Sequence, residues 1–254
     1  MILAVDIGNT QTVLGLISSA GLDGRWRVST DASLTADEIR VKIGGLLSLD
    51  GRTWAEIERV VVSSVVPALT LAYEELASRA TGVEPLVVGP GVKTGLAIAY
   101  DNPHEVGADR IVNAVAAIAA FGAPVIVVDF GTATTFDVVD ESGAYLGGAI
   151  AAGVETSAEA LFRRAARLSA VDLEPPARVI GRNTRESTQA GLLFGEAAMV
   201  DGLVRRMWIE LGAECVVVAT GGLAERMAPL CETIREVDPD LTLKGLALIW
   251  ERNA

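Results

Sequence analysis

The sequence predicts an α/β protein with two similar domains, and three features support this prediction. Continuous apolar segments alternate with segments of helical period, as in strands connected by helices. The segment Val125–Asp137 (VIVVDFGTATTFD) repeats the pattern of Ile2–Leu14 (ILAVDIGNTQTVL). The chain of 254 residues also has room for one or two domains. We therefore expect a first domain over 1–118 and a second over 119–254, with the C-terminal helix packing back on the first.

Each copy of the repeated segment predicts a strand, a tight turn and a second strand. Apolar, mostly β-branched residues lead into an Asp, one further apolar residue and a Gly. A strand buried on both faces can place a carboxylate only at its end, so Asp6 and Asp129 should lie where a strand leaves the core. The Gly permits a tight turn and leaves space for a ligand. The aligned pairs are Asp6 and Asp129, Gly8 and Gly131, Asn9 and Thr132, and Thr12 and Thr135.

A single D-x-G sequence after a strand is usually an ordinary turn. Two copies in register instead favour a pair of hairpins that grip one polyphosphate and its metal from two sides. The two commonest phosphate loops do not compete with this interpretation. The chain lacks G-x-x-x-x-G-K-[ST], and neither copy has the strand, Gly-rich turn and helix order of a dinucleotide fold.

The first half of the chain continues with elements of an α/β domain. Short extended pieces are expected over Gly15–Ser29. Thr35–Glu38 is a capping box that begins an amphipathic helix. Val60–Val66 is predicted as a buried strand that a proline ends, followed by a helix to about Arg79 and a short strand at Leu86–Val88.

The second half repeats the alternation. The Gly/Ala-rich segment Gly143–Gly153 permits close approach of the backbone to a ligand or a helix. Glu155–Leu168 is predicted to be helical, and Asn183–Gln189 is a polar entry to the longest helix, where a cap is the ordinary explanation. Cys215–Ala219 is predicted as a buried strand and Leu243–Trp250 as a final helix.

Composition and charge exclude several classes of function. The net charge of −12 would repel nucleic acid and anionic membranes, so neither is expected as a partner. No apolar run approaches the roughly 18 residues that span a bilayer, and the N-terminus enters a strand directly, so we expect a cytoplasmic protein. Cys215 and Cys231 are expected to be reduced core thiols, and no Cys/His cluster suggests zinc.

The segment Tyr100–Asn113 (YDNPHEVGADRIVN) places an aromatic residue, an acid and an Arg at the start of a helix predicted over Asp109–Phe121. Two interpretations remain open from the pattern alone. In the first, Asp109 only stabilises the helix through its dipole and Arg110 is a solvated charge. In the second, both residues belong to a functional site. His104, the only histidine, is expected to be exposed in this loop and to have no role as a base.

Together these motifs resemble the type III pantothenate kinases, the Bvg-accessory-factor-like branch of the actin/sugar-kinase/Hsp70 ATPase superfamily. The resemblance runs from end to end, and GADR followed at this spacing by DFGTATT is its most specific part. The markers are DIGNT (6–10), YDNPHEVGADRIVNA (100–114), DFGTATTFD (129–137), GGAI (147–150), NTRES (183–187), GGLA (221–224) and DPDLTLKGL (238–246).

The resemblance implies a duplicated ribonuclease H-like fold with the nucleotide site between the two domains, a homodimer, and ATP-dependent phosphorylation of pantothenate to 4′-phosphopantothenate. It implies that ATP contacts Asp6, Ile7, Gly8, Asn9, Thr10, Gln11, Thr12, Val13 and Thr132. It implies that pantothenate contacts Tyr100, Gly107, Ala108, Asp109, Arg110 and Thr184, with Asp109 as the proton acceptor. Mg²⁺ would accompany ATP near Asp6, and Asp129 would hold a monovalent cation, K⁺ or NH₄⁺.

The chemistry agrees with these roles, since phosphoryl transfer mainly needs phosphates, metal and acceptor hydroxyl held in line. Because Asp109 lies in a first helical turn, we expect the dipole to keep its pKa low. A kinase of the same superfamily acting on a sugar or carboxylate is an alternative, as is a non-catalytic nucleotide-binding regulator, which would not need Asp109. Ala152, Thr188 and Ala190 depart from the family pattern and should affect loop rigidity and dimer packing.

Overall fold

The computed structural model describes residues 1–165 and 170–254. Strands and α-helices alternate along this part of the chain, as the sequence predicts. The strands are β1 (Ile2–Ile7), β2 (Gln11–Ser18), β3 (Gly21–Ser29), β4 (Arg59–Ser64), β5 (Leu86–Val87), β6 (Ala97–Ile98), β7 (Val125–Phe130), β8 (Ala133–Val139), β9 (Ala144–Ala152), β10 (Val216–Thr220) and β11 (Glu236–Val237). The helices are α1 (Ala36–Leu49), α2 (Pro67–Thr81), α3 (Ala108–Phe121), α4 (Val154–Arg164), α5 (Thr184–Leu211), α6 (Ala224–Met227) and α7 (Leu241–Asn253).

One compact unit consists of Met1–Leu96, Asp101–Ala116 and Asp240–Ala254. Its sheet has the strand order β3-β2-β1-β4-β5, in which β1, β2 and β3 are antiparallel and β4 and β5 run parallel to β1. The apolar faces of α1 and α2 pack on one side of this sheet, around the inward residues of β1. On the other side, Gly15 of β2 lies against Leu243, so α7 covers that face.

A second compact unit consists of Ala97–Tyr100 and Ala117–Pro239. Its sheet has the order β11-β10-β7-β8-β9-β6. Strands β7, β8 and β9 are antiparallel, β10 and β11 run parallel to β7, and β6 adds to the far edge beside β9. The main core lies between β7 and the buried face of α5, whose members are Leu193, Ala197, Val200 and Val204.

The predicted duplication is confirmed by the strand orders. The series β3-β2-β1-β4-β5 of the first sheet recurs as β9-β8-β7-β10-β11 in the second, with the same parallel and antiparallel pairings. The α/β fold class is confirmed with it. Each unit therefore presents a hairpin, β1–β2 or β7–β8, whose first strand is central in its sheet.

Two segments differ from the sequence prediction. The Gly/Ala-rich segment Gly143–Gly153 forms strand β9, and its glycines admit the neighbouring strand, since a Cβ at Gly148 would collide with the carbonyl of Phe136. The predicted helix Glu155–Leu168 is α4, which begins at Val154 and ends at Arg164. Its predicted end at Leu168 lies outside the described residues.

Both cysteines are free thiols, as expected. Burial raises the pKa of Cys231 to about 12, and the negative charges of Asp201 and Glu196 add to this effect. Across the ranges 1–165 and 170–254, no helix has the length and apolarity that a membrane span requires.

Candidate active site

The first hairpin holds a carboxylate at the end of a buried strand. Asp6 is the penultimate residue of β1 and is half-buried, whereas the three residues before it are fully buried. The turn then closes through a 3.0 Å hydrogen bond from the Gly8 N–H to the carbonyl oxygen of Gln11. Thr30, at the end of β3, braces the turn twice: its N–H donates to the Thr10 carbonyl (2.9 Å) and its hydroxyl to the Gly8 carbonyl (2.8 Å).

The residues predicted to contact ATP fall into two groups in this hairpin. Asn9, Thr10 and Gln11 are exposed at the turn, where backbone and side chains are open to a ligand. Ile7 and Thr12 are buried, and the Thr12 hydroxyl lies 2.9 Å from the hydroxyl of Thr30. These two side chains therefore support the hairpin from inside, while Val13, opposite Asp6, is half-buried.

The second hairpin has the same construction with a shorter turn. Asp129 is again the half-buried penultimate residue of its strand, and the Gly131 N–H donates to the carbonyl of Ala133 at 3.0 Å. The turn comprises residues 131–132, compared with 8–10 in the first hairpin.

The shorter turn corrects one aligned pair. Thr12 pairs with Ile7 as the last step of the first hairpin, and Thr134 pairs with Phe130 in the second. Thr134, and not Thr135, therefore occupies the position of Thr12, because the second turn lacks one residue.

Gly221 lies directly against the carboxylate of Asp129. It follows β10 with a φ of 93°, and a Cβ there would collide with that carboxylate and with the backbone of Phe130. A glycine is therefore required both by the backbone conformation and by the close approach of these groups. The exposed Thr132 next to this site has its carbonyl fixed by the Gly153 N–H (3.1 Å) and the Thr156 hydroxyl (2.7 Å).

Asp109 lies in the first turn of α3, where its Oδ1 accepts the backbone N–H of Arg110 at 2.9 Å. The carboxylate folds back over Gly107, since a Cβ at that position would collide with it. Burial raises the pKa of Asp109, although the Arg110 N–H and the guanidinium charge oppose this. The expected low pKa is wrong, because desolvation outweighs the field of the helix N-terminus. Arg110 is itself buried, so it is not a solvated surface charge.

The other residues expected to contact pantothenate belong to both units. Gly107 and Ala108 are half-buried beside Asp109 in the first unit. In the second unit, Tyr100 is half-buried against Tyr145, and Thr184 is the exposed first residue of α5.

The loop and helix entry around these residues have ordinary structural roles. Asn183 caps α5, since its side chain accepts the Glu186 N–H at 2.9 Å, and the predicted polar cap is thus confirmed. His104 is exposed, as expected.

Oxygen ligands for cations are present at both hairpins, although the described residues contain no cluster of three or more His, Cys, Asp or Glu that could hold a metal. Such a cluster is unnecessary for Mg²⁺ at a nucleotide, which takes one or two carboxylates plus phosphates and waters. A second observation supports a cation site at the first hairpin. The buried hydroxyl of Ser63, which has no hydrogen-bond partner among the described residues, lies at the β4 position paired with Asp6.

Three residues that brace the hairpins were missed by sequence reasoning. Thr30 supports the first turn, Thr156 holds the Thr132 carbonyl, and Glu196 of α5 accepts a hydrogen bond from the Thr134 hydroxyl. Each lies at least 18 residues from its hydrogen-bond partners along the chain. No local pattern signals such pairs, so they follow only from the packing of strands and helices.

Comparison with solved structures shows the fold. An activator of 2-hydroxyisocaproyl-CoA dehydratase from Clostridium difficile, solved with bound ADPNP, superposes with a TM-score of 0.56 at 13% identity, covering 99% of this chain and 95% of its own. A ROK hexokinase from Thermus thermophilus superposes with a TM-score of 0.54 at 13% identity, covering 100% and 99%. Both have the actin-like ATPase fold.

Comparison of sequences shows the family. A sequence model described as type III pantothenate kinase matches residues 2–206. A type III pantothenate kinase from Moorella thermoacetica is 50% identical over 253 residues and covers 100% of both chains. One from Brevibacillus brevis is 51% identical over 253 residues, covering 100% of this chain and 99% of its own. With the two D-x-G hairpins and the Asp109 helix in place, the chain belongs to the type III pantothenate kinase family.

Proposed function

We propose that this chain transfers a phosphoryl group from ATP to pantothenate, forming 4′-phosphopantothenate and ADP in the first step of coenzyme A biosynthesis. The observation that carries this proposal is the full-length match, at 50% and 51% identity, to two type III pantothenate kinases. The geometry agrees, because the chain supplies two braced hairpins with a carboxylate each and one further carboxylate at a helix start. These parts suit a reaction that depends on positioning and charge stabilisation.

The first hairpin, residues 6–13, is proposed to bind the phosphates of ATP, and Thr132 is proposed as a further ATP contact. The turn of the first hairpin is exposed at Asn9 and Thr10, and Thr30 fixes two of its carbonyls. A turn held in this way needs no reorganisation when charge develops on the phosphates. Asp6 would hold the Mg²⁺ that accompanies ATP, and this ion neutralises charge on the phosphates.

Asp129 is proposed to hold the monovalent cation, K⁺ or NH₄⁺. The support is the half-buried carboxylate at the end of β7, which lies against Gly221, a residue without a side chain. A monovalent cation there would supply positive charge beside the phosphates without a dedicated cluster of ligands.

Asp109 is proposed as the proton acceptor. As the hydroxyl oxygen of pantothenate bonds to phosphorus, its proton would pass to a carboxylate oxygen of Asp109, and the bond to ADP breaks. A pKa raised by burial makes this carboxylate a stronger base than an ordinary Asp. Arg110 is proposed to bind the substrate carboxylate. The remaining proposed contacts to pantothenate are Tyr100, Gly107, Ala108 and Thr184.

A homodimer is proposed for the assembly, as the family resemblance implies. The apolar surface of α3 is covered within the chain, since residues 110–117 are all buried. Exposed apolar side chains occur in both units, and those of the second unit include Ile150 (67% exposed), Val179 (68%) and Ile180 (82%). Such side chains are available for contact with a second copy. We also propose a cytoplasmic location, which agrees with free thiols at both cysteines.

The test is a coupled assay of ADP formation with ATP, Mg²⁺ and K⁺. Pantothenate is compared with a panel of sugars and small carboxylates, and the product is identified by mass. Rapid turnover with pantothenate alone supports the proposal, whereas preference for another acceptor would identify a different kinase of the superfamily. A protein that binds ATP but phosphorylates nothing would be a regulator. Asp109→Asn serves as the control for contaminating kinases.

A further inference from the structure

The backbone next to Tyr100 is fixed by a short parallel strand pair. Strand β6 lies beside β9, with Ala97 opposite Ala144 and Ile98 opposite Tyr145. The pairing extends one residue further, because the Ala99 N–H donates to the Tyr145 carbonyl at 2.8 Å. Tyr100 therefore leaves the sheet from an anchored position, and its side chain returns to the same strand.

The side chain of Tyr145 is held by a buried carboxylate. Tyr145 and Asp137 are both fully buried, and the Tyr145 hydroxyl donates to Oδ1 of Asp137 at 2.8 Å. A buried carboxylate is costly without such donors, so this contact ties the ring of Tyr145 to one orientation. Its aromatic ring meets that of Tyr100 with centroids 6.3 Å apart and planes inclined by 53°. This is the tilted arrangement that aromatic pairs favour.

A β-bulge in β9 places a glycine against the Tyr100 ring. Val139 pairs with Tyr145 and Val138 with Gly147, so Leu146 is the extra residue. Gly147 has a φ of 118°, and a Cβ there would lie 2.8 Å from Cε2 of Tyr100. Glycine is therefore required both by the bulge and by the ring that lies against it.

We infer that Asp137, Tyr145 and Gly147 form a seat that fixes the ring of Tyr100, and that they act as positioning residues for pantothenate. The inference rests on the proposed function, in which Tyr100 contacts that substrate. A half-buried tyrosine without support would lose rotamer freedom on binding, which weakens affinity. The seat removes this loss in advance, because the ring is already ordered by the pair with Tyr145 and by the surface of Gly147.

The first experiment observes the ring without substrate. The chain has three tyrosines, so protein labelled with 3-fluorotyrosine gives three ¹⁹F signals, and Tyr100→Phe assigns the one of interest. In Tyr145→Leu the Tyr100 signal should shift and change in width, because its aromatic neighbour is gone. An unchanged Tyr100 signal in the folded variant would overturn the inference, whatever the enzyme phosphorylates.

The second experiment is a double-mutant cycle in steady-state kinetics. Tyr145→Leu should raise the KM for pantothenate about two- to tenfold, the range to which the energy of an aromatic pair converts. The KM for ATP and kcat should change little. In a Tyr100→Ala background the same change should have no further effect on the pantothenate KM, whereas additive effects would contradict the seat.

Two further variants keep the test decisive if Tyr145→Leu folds poorly. Gly147→Ala places a methyl group against the Tyr100 ring and should raise the same KM. Tyr145→Phe keeps the ring but releases it from Asp137, so it should have a smaller effect. Val204→Ala, in the α5 core away from the seat, controls for loss of stability and should leave the pantothenate KM unchanged. If wild-type protein fails to phosphorylate pantothenate, the proposed function fails, and the ¹⁹F signal still decides whether the seat orders Tyr100.

Discussion

The hydroxyl of Thr134 donates a 2.5 Å hydrogen bond to Oε1 of Glu196, and this bond joins the start of β8 to the middle of α5. Both residues are buried, at 1% and 8% exposed, and burial raises the pKa of Glu196 while the Thr134 hydroxyl opposes this. The helix therefore holds the strand that begins beside Asp129 and Thr132. In the first hairpin, the position of Thr134 is occupied by Thr12, whose hydroxyl lies 2.9 Å from the hydroxyl of Thr30.

Removing the Thr134 hydroxyl should destabilise the protein. Thr134→Val leaves the Glu196 carboxylate buried without this donor, and we expect a loss of about 1–3 kcal/mol in the free energy of unfolding, measured by urea denaturation. Thr188→Val on the same helix is the matched control, since its hydroxyl donates to the Thr184 carbonyl near the helix start. Equal losses in the two variants would show that the contact with Glu196 contributes no more to the free energy of unfolding than the contact with the Thr184 carbonyl.

Asp109→Asn should lower kcat by roughly 10²–10⁴-fold with little change in the KM for pantothenate, because the proposed proton acceptor acts in the transition state. In the wild-type enzyme the rate should fall as pH drops through the pKa of Asp109. Since burial raises that pKa, this acid limb should lie above the usual range of an aspartate.

The same variant distinguishes a base from a helix cap. A carboxyl group with a raised folded-state pKa contributes stability below its unfolded pKa that is lost as pH rises through the folded pKa. Asp109→Asn should therefore melt no earlier than wild type at neutral pH. The Tm of the variant, compared with that of wild type at the same pH, should increase as pH rises. An early melt combined with normal turnover would show that Asp109 only caps α3.

Arg110→Ala should raise the KM for pantothenate and leave much of kcat, because a guanidinium that binds the substrate carboxylate acts in ground state and transition state alike. The variant should also move the acid limb of the pH profile upwards. The Arg110 charge lowers the pKa of Asp109, so its removal lets that pKa rise further. Arg110→Lys keeps the charge and should restore the pH profile more fully than the KM. A pH profile that does not move in Arg110→Ala would argue against this electrostatic link.

Gly221→Ala should weaken activation by K⁺, because the added methyl group collides with the Asp129 carboxylate. The measurement is the K⁺ concentration for half-maximal rate, with Na⁺ used to keep ionic strength constant. Gly212→Ala is a matched control, since Gly212 also has a positive φ (76°) but no atom near its Cβ position. Gly212→Ala should lose about 1–2 kcal/mol of stability from backbone strain. Gly221→Ala should lose more, because its methyl group would also meet the backbone of Phe130, and only this variant should lose the K⁺ response. An identical K⁺ response in both would contradict a cation site at Asp129.

The sequence by itself determined the fold class, the duplication and the position of both carboxylates. A strand buried on both faces must be continuously apolar, so Asp6 and Asp129 could only stand at strand ends, and the repeated spacing showed two hairpins. The sequence also predicted the capped start of α5, because an N-cap depends on residues within one turn of each other, here Asn183 and Glu186.

Only the tertiary structure decided what lies behind these motifs. Strand β9 escaped prediction because Gly and Ala carry no strand pattern, yet their small size is what admits Phe136 and Tyr100 beside it. The raised pKa of Asp109 depends on how many neighbours exclude water from it, which a first-turn position does not reveal. Thr134 and Glu196 are 62 residues apart, so their contact exists only because β8 and α5 pack together, and packing is a property of the folded chain.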